Sequence, residues 1–141
     1  MRDLGKLSAK RPLRGLLKRL RRWLEGLVLS SALEALDLPK RVKAALKRFV
    51  NELKKLDYEC EAYLFGSYAR GDWLAESDID LIVISSTFEG LDLGKRYLKV
   101  RRLLPDGLSA ELLLYTPAEF QRAKKRSMII KDAMKHWVKL A

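Results

Sequence analysis

LFGSYARGDWLAESDIDLIVIS, residues 64–85, joins two apolar runs through a glycine-serine turn and an Asp-x-Asp pair. The run from about Ala62 to Phe65 predicts a short buried strand that ends at Gly66. Gly66 has no Cβ, so a phosphate can approach its backbone, and Ser67 adds a hydroxyl able to cap a short helix over Tyr68–Trp73. The N-terminus of such a helix turns unpaired N–H groups toward an anion. Asp78–Ile84 is apolar on both faces after its first turn, which predicts a central strand with Ile79 facing the core.

Side chains two apart on a strand share a face, so Asp78 and Asp80 stand together, roughly 6–7 Å apart at Cα. Two carboxylates in that position repel each other unless a cation sits between them, and their hard oxygens select Mg²⁺ or Mn²⁺. Arg70, one turn beyond Ser67, is placed either to steady a triphosphate or to pair with Asp72 or Glu76. No lysine follows the Gly-Ser pair, which excludes a Walker-type phosphate loop. No Cys/His pattern suggests zinc. His136, the only histidine, falls in the predicted last helix, which assigns it a surface or packing role and leaves no histidine base near the motif.

Gly66-Ser67, then Asp78-x-Asp80, resembles the signature of the DNA polymerase beta-like nucleotidyltransferase superfamily. The longer form GSYARG…SDIDLIV resembles its minimal branch, the MNT family. That branch carries an Asp at the start of a later apolar strand followed by TPxEF. Here Glu111 stands at that position, ahead of Leu112–Tyr115 and Thr116-Pro117-Ala118-Glu119-Phe120, one methylene longer than the residue it replaces. The resemblance covers about residues 45–141.

It implies an α+β domain, a small mixed, mainly antiparallel sheet with helices packed on one side. The implied reaction is transfer of a nucleoside monophosphate, AMP from ATP as first choice, to a hydroxyl acceptor. Asp78, Asp80 and Glu111 would be the catalytic residues and hold two Mg²⁺ ions, with Mn²⁺ as substitute; Gly66, Ser67 and Arg70 would bind the nucleotide. Many members of the branch serve as antitoxins that adenylylate a HEPN-domain toxin, which implies a helical protein partner. Two alternatives stand beside this: a noncatalytic nucleotide-binding antitoxin or interaction module, and a nucleotidyltransferase directed at RNA.

The net charge of +11 is unevenly placed. Residues 1–56 hold sixteen Lys or Arg against five Asp or Glu, whereas residues 57–141 hold thirteen of each. A basic helical extension over residues 1–36 therefore precedes a nearly neutral nucleotidyltransferase-like domain over residues 37–141. Residues 1–12 read as a mobile arm ending at Pro12. From Leu13 to Val28 leucines recur at three- and four-residue steps between arginines and lysines, a basic amphipathic helix with Trp23 as a packing residue. Such a helix docks on its own domain, contacts nucleic acid or another anionic partner, or lies on a membrane surface. No run is long enough to span a bilayer. Cys60 stands alone, which allows no internal disulfide and fits a buried residue in a reducing cytoplasm. Self-association is left open.

Around the motif, Asp37 as a cap and Pro39 in a first turn open a helix to about Leu56. Lys95–Leu104 predicts another, Pro105-Asp106-Gly107 a turn, and Glu111–Tyr115 the third strand. Thr116-x-x-Glu119 has the form of a capping box with Pro117 at the first helical position, opening a last helix to about Leu140.

Overall fold

A computed structural model describes residues 2–141, with side chains described for residues 13–27 and 31–141. The chain runs α1 (Arg2–Ala35), α2 (Lys40–Leu56), β1 (Glu61–Phe65), α3 (Gly66–Arg70), β2 (Ile79–Ile84), a 3-10 turn (Ser86–Phe88), α4 (Leu93–Arg101), β3 (Ala110–Tyr115), α5 (Pro117–Arg126), α6 (Met128–Ala133) and β4 (Val138–Lys139). The architecture is α+β.

The strands form one mixed sheet in the order β3-β2-β1-β4. β2 pairs antiparallel with β1 and parallel with β3, and β4 adds antiparallel to the free side of β1. β2 is interior, as its apolar run Leu81–Ile84 predicts, because a strand covered on both faces cannot alternate polar residues.

The two-residue period of the strands sorts side chains onto two faces. Ala62, Leu64, Ile79, Leu81 and Val83 meet the buried stripe of α2, which includes Val42, Leu46, Phe49 and Leu53. Leu33 from the end of α1 and Val100 from α4 complete this larger layer, with Cys60 buried at its edge. Truncating a fully buried residue such as Phe49 to Ala would cost about 3–5 kcal/mol. Phe65, Ile82 and Ile84 point the other way, where Phe120 of α5 and Ile130 and Ala133 of α6 cover them. Helices thus pack on both faces, although the sequence predicts one side only. Two helices, α5 and α6, stand in place of the expected single last helix and form the second layer.

Ser127, with φ −88° and ψ 121°, leaves helical geometry and accepts from Ile130 N–H to cap α6. After a final turn the chain straightens into β4, pairing Val138 with Leu64 and Lys139 with Tyr63. Local propensity at Val138-Lys139-Leu140 is compatible with either state, and the open edge of β1 decides it. Thr116 and Glu119 do form the predicted capping box. Buried Arg96 ties α4 to this region by donating to Leu91 O, Leu114 O and Glu119.

At the N-terminal side, Pro39 rather than Asp37 occupies the cap of α2, and Asp37 offers its carbonyl to Trp73 Nε1 at 2.7 Å. α1 begins at Arg2, ahead of the predicted start at Leu13; the side chains of residues 1–12 and 28–30 lie outside the described residues, and with them the expectation of an arm. Ahead of Leu33, α1 does not dock through the leucines between residues 13 and 27. Leu16, Leu20, Leu24 and Leu27 are half exposed, and Trp23, expected to pack, is 62% exposed.

Candidate active site

β1 delivers the chain to Gly66, whose φ of +70° few residues other than glycine adopt. A Cβ there would overlap Asp80 Oδ2, so the missing side chain is what lets the Asp80 carboxylate lie against the turn. α3 starts at Gly66, two residues earlier than a cap at Ser67 requires; Phe65 is its N-cap and no side chain caps it. Gly71, at φ +89°, closes it by donating its N–H to Ser67 O.

Register brings the acidic residues together. Asp80 on β2 lies opposite Phe65 on β1 and opposite Glu111 on β3, so one row of the sheet carries both carboxylates on the face opposite α2. Asp78 lies just before β2 and is exposed, Asp80 is half-buried, and Glu111 is exposed at the sheet edge. Burial pushes the Asp80 carboxyl up to about 7, with the charges of Glu111 and Asp78 adding to it and Arg70 opposing them. Asp78 and Glu111 therefore both lie within electrostatic reach of the Asp80 carboxylate. They do not form a closed cage: among the described residues, no three Asp, Glu, His or Cys side chains converge tightly enough to hold an ion. The donor set is nonetheless all carboxylate oxygen, which suits a hard divalent cation, and such a charge would relieve the repulsion raising Asp80.

Arg70 Nε pairs with Asp72 Oδ2 at 3.2 Å on the surface, which realises the ion-pair option, although its charge still reaches Asp80. Ser77 Oγ accepts from Leu74 N–H at 2.8 Å and closes the turn leading to β2.

His136 is the residue the sequence does not reveal. Its Nε2 accepts from Gly66 N–H at 3.0 Å, across seventy residues. The break at Ser127 and the turn at Ala133 carry it there, with His136 and Trp137 N–H both bonded to Ala133 O. Trp137 then stacks on Tyr63 of β1, rings 3.9 Å apart and 13° from parallel, which fixes the segment beside the motif. Since Nε2 accepts, the neutral ring carries its proton on Nδ1. No local pattern signals this contact; it depends on where the chain end is brought by β4. The sequence places His136 in a continuous last helix with a surface or packing role; the structure sets it after α6, bonded to the motif's own backbone. One of the backbone amides expected to face an anion is occupied by this ring.

The carboxylates sit on an open rim. Neither a 370 Å³ cleft lined by Tyr63, Phe120 and Trp137 nor a 990 Å³ cleft between α1 and the end of α2 includes Asp78, Asp80 or Glu111 in its lining.

A stretch of this chain is 51% identical over 43 residues to a Methanocaldococcus jannaschii protein provisionally named a protein adenylyltransferase, covering 28% of this chain and 42% of that protein. The match therefore spans under half of the relative's length. Among solved structures, a provisionally named nucleotidyltransferase from Sulfolobus solfataricus is 24% identical, with 61% of this chain and 83% of that one covered and a TM-score of 0.38. A second such structure is 28% identical, with 56% and 83% covered and a TM-score of 0.36. The profile of the nucleotidyltransferase domain matches residues 46–140, well over half of the chain and the whole of the site described above. The chain belongs to the nucleotidyltransferase domain family.

Proposed function

We propose that this protein transfers a nucleoside monophosphate, AMP from ATP, to a hydroxyl on a partner protein. The observation that carries the reading is the contact between Gly66 and Asp80: a positive-φ glycine whose missing Cβ seats a carboxylate against a turn, inside a motif of a nucleotidyltransferase domain. The choice of AMP and of a protein acceptor is supported by the name of the Methanocaldococcus jannaschii relative. The resemblance to the minimal branch supports a helical HEPN-type toxin as that partner and an antitoxin role. The lone buried Cys60 is consistent with a cytoplasmic setting.

Asp78, Asp80 and Glu111 would hold Mg²⁺, two ions with Mn²⁺ as substitute. When bound, these ions neutralise the triphosphate and lower the pKa of the acceptor hydroxyl. The acceptor oxygen forms a bond to the α-phosphorus, the bond from that phosphorus to the bridging oxygen breaks, and pyrophosphate leaves. Glu111, exposed at the edge of the row, takes the hydroxyl proton. The Gly66-Ser67 turn lies beside Asp80 and offers the Ser67 hydroxyl to the phosphates. Arg70 exchanges its surface partner Asp72 for the triphosphate, a small loss because an exposed ion pair is worth at most about 1 kcal/mol.

One observation favours a second reading, a noncatalytic nucleotide-binding module that masks its partner by contact: the three carboxylates do not converge into a cage. Incubating the protein with Mg²⁺, each α-labelled nucleoside triphosphate, and either host lysate or total RNA separates the readings. Label from ATP on a protein supports the proposal. Label on RNA redirects it to nucleic acid, and binding of nucleotide with no label anywhere supports the masking module.

A further inference from the structure

α1 is attached to the domain by the side an amphipathic helix normally turns to water. Arg21 donates to Tyr58 Oη at 3.4 Å and to Glu59 Oε1 at 3.3 Å. Tyr58 Oη donates to Glu25 Oε2 at 2.9 Å, and the Arg22 guanidinium lies over the Tyr58 ring, 4.7 Å from its centre. One helical face thus clasps Tyr58 and its neighbour Glu59 on the domain. Farther along, fully buried Leu33 enters the main core. With 3.6 residues per turn, Glu25, Arg22 and Leu33 fall within about 80° of one another, so one side of the helix faces the domain along this length.

The opposite side is apolar and uncovered. Leu13, Leu20 and Leu27 stand seven residues apart, as do Leu16 and Trp23, and Leu17 and Leu24. Together they span about 120° of the helix, centred nearly opposite the clasped side. Their exposures run from 46% at Leu20 to 62% at Trp23. A seven-residue recurrence is the spacing at which one helix packs along another. Arg14 and Arg21 border the stripe on one margin and Arg19 on the other, while the only acid between residues 13 and 27 is Glu25, on the clasped side.

We infer that the Leu13–Leu27 stripe is a docking surface for an acidic amphipathic helix of a partner protein. Charge selects the occupant. A second copy of this chain would bring the same arginines to the same margins, like charge against like charge. A helix bearing carboxylates beside its apolar stripe meets Arg14 and Arg19 with opposite charge, and the seven-residue register supplies a packing specificity that a lipid surface does not use. The polar clasp holds the stripe outward, so its leucines remain available without displacing any core contact. The inference is independent of the transfer reaction.

The test uses the full chain and two synthetic amphipathic helical peptides that share leucines at a and d, one with glutamates and one with lysines at the margins. Fluorescence anisotropy is expected to show the glutamate peptide binding at least about tenfold more tightly than the lysine peptide, with affinity falling as salt rises. The double substitution Leu20→Ser, Leu24→Ser should weaken binding by about tenfold or more with an unchanged thermal midpoint, since both side chains are exposed. Hydrogen exchange should slow at residues 13–27 on binding. Equal affinity for the two peptides overturns the inference, as does no binding. Stripe-dependent sedimentation with phosphatidylglycerol vesicles that the glutamate peptide does not displace reassigns the surface to lipid. A stripe-dependent dimer that excludes the peptide reassigns it to a second copy.

Discussion

Gly66 donates its backbone N–H to His136 Nε2 at 3.0 Å, joining the turn after β1 to the last segment of the chain. The bond makes the C-terminal segment part of the site's support. His136→Ala removes the acceptor and leaves a half-buried amide short of a partner, a cost of about 1–3 kcal/mol in urea unfolding. His136→Gln retains an acceptor and should recover most of that loss. If His136 positions the turn for nucleotide, ATP affinity falls in the alanine variant and returns in the glutamine variant; unchanged ATP affinity in both would confine the bond to stability.

Gly66→Ala and Gly71→Ala share the penalty of a positive φ, about 1–2 kcal/mol each. They differ in surroundings, because a Cβ at Gly66 meets Asp80 while one at Gly71 meets nothing within 4 Å. Gly66→Ala should therefore be the more destabilising of the pair and abolish transfer, with Gly71→Ala retaining most of it. Equal activity of the two would dissociate the Asp80 contact from function.

Asp80 links stability to pH in metal-free buffer. Its carboxyl is raised from 3.8 to about 7 by burial and by Glu111 and Asp78. The folded state thus binds the proton more tightly than the unfolded state, so this group's contribution is fully present below pH 3.8 and is lost as pH rises to about 7. Asp80→Asn should raise the thermal midpoint at pH 8 and change it little near pH 4. Added Mg²⁺ should stabilise the wild-type protein at pH 8, and removing it with EDTA should reverse the gain. A variant midpoint no higher at pH 8 than at pH 4, each relative to wild type, contradicts the assignment of repulsion at this position.

The Arg96–Glu119 pair titrates with the opposite sign. Arg96 hydrogen bonding holds the Glu119 carboxyl down at about 2. Its contribution is present above pH 4.5 and disappears as pH falls to about 2. Glu119→Gln should lower stability at pH 7, with the difference from wild type shrinking across that acid window when followed by urea unfolding.

The readable parts of this fold are those whose cause is local. β2 announces itself by the apolar run Leu81–Ile84, β1 by the run ending at Gly66, and α5 by Thr116, Pro117 and Glu119. The Asp80–Glu111 row follows once those strands are paired side by side. Residues with nonlocal causes were illegible. Ser127 ends one helix and caps the next, the chain beyond it finds the free edge of β1 at Val138, and His136 reaches Gly66 along that path. The orientation of α1 was hidden for a similar reason: amphipathic periodicity says that leucines share a face, while Tyr58 on the domain decides which face is clasped. Trp23 looked like packing material because apolar aromatics are usually buried, and it is left outside by the same choice.

Glu111 is the residue on which the transferase account is most exposed. The most direct measurement is single-turnover transfer of α-labelled AMP to an acceptor protein by wild type, Glu111→Asp and Glu111→Ala, with ATP binding followed in parallel. The account predicts that Glu111→Ala loses about a hundredfold or more in transfer while keeping most of its ATP affinity, and that Glu111→Asp matches or exceeds wild type. Wild-type protein that binds ATP and neutralises its partner but labels nothing, with Glu111→Ala behaving identically, would contradict it and leave a binding module in its place.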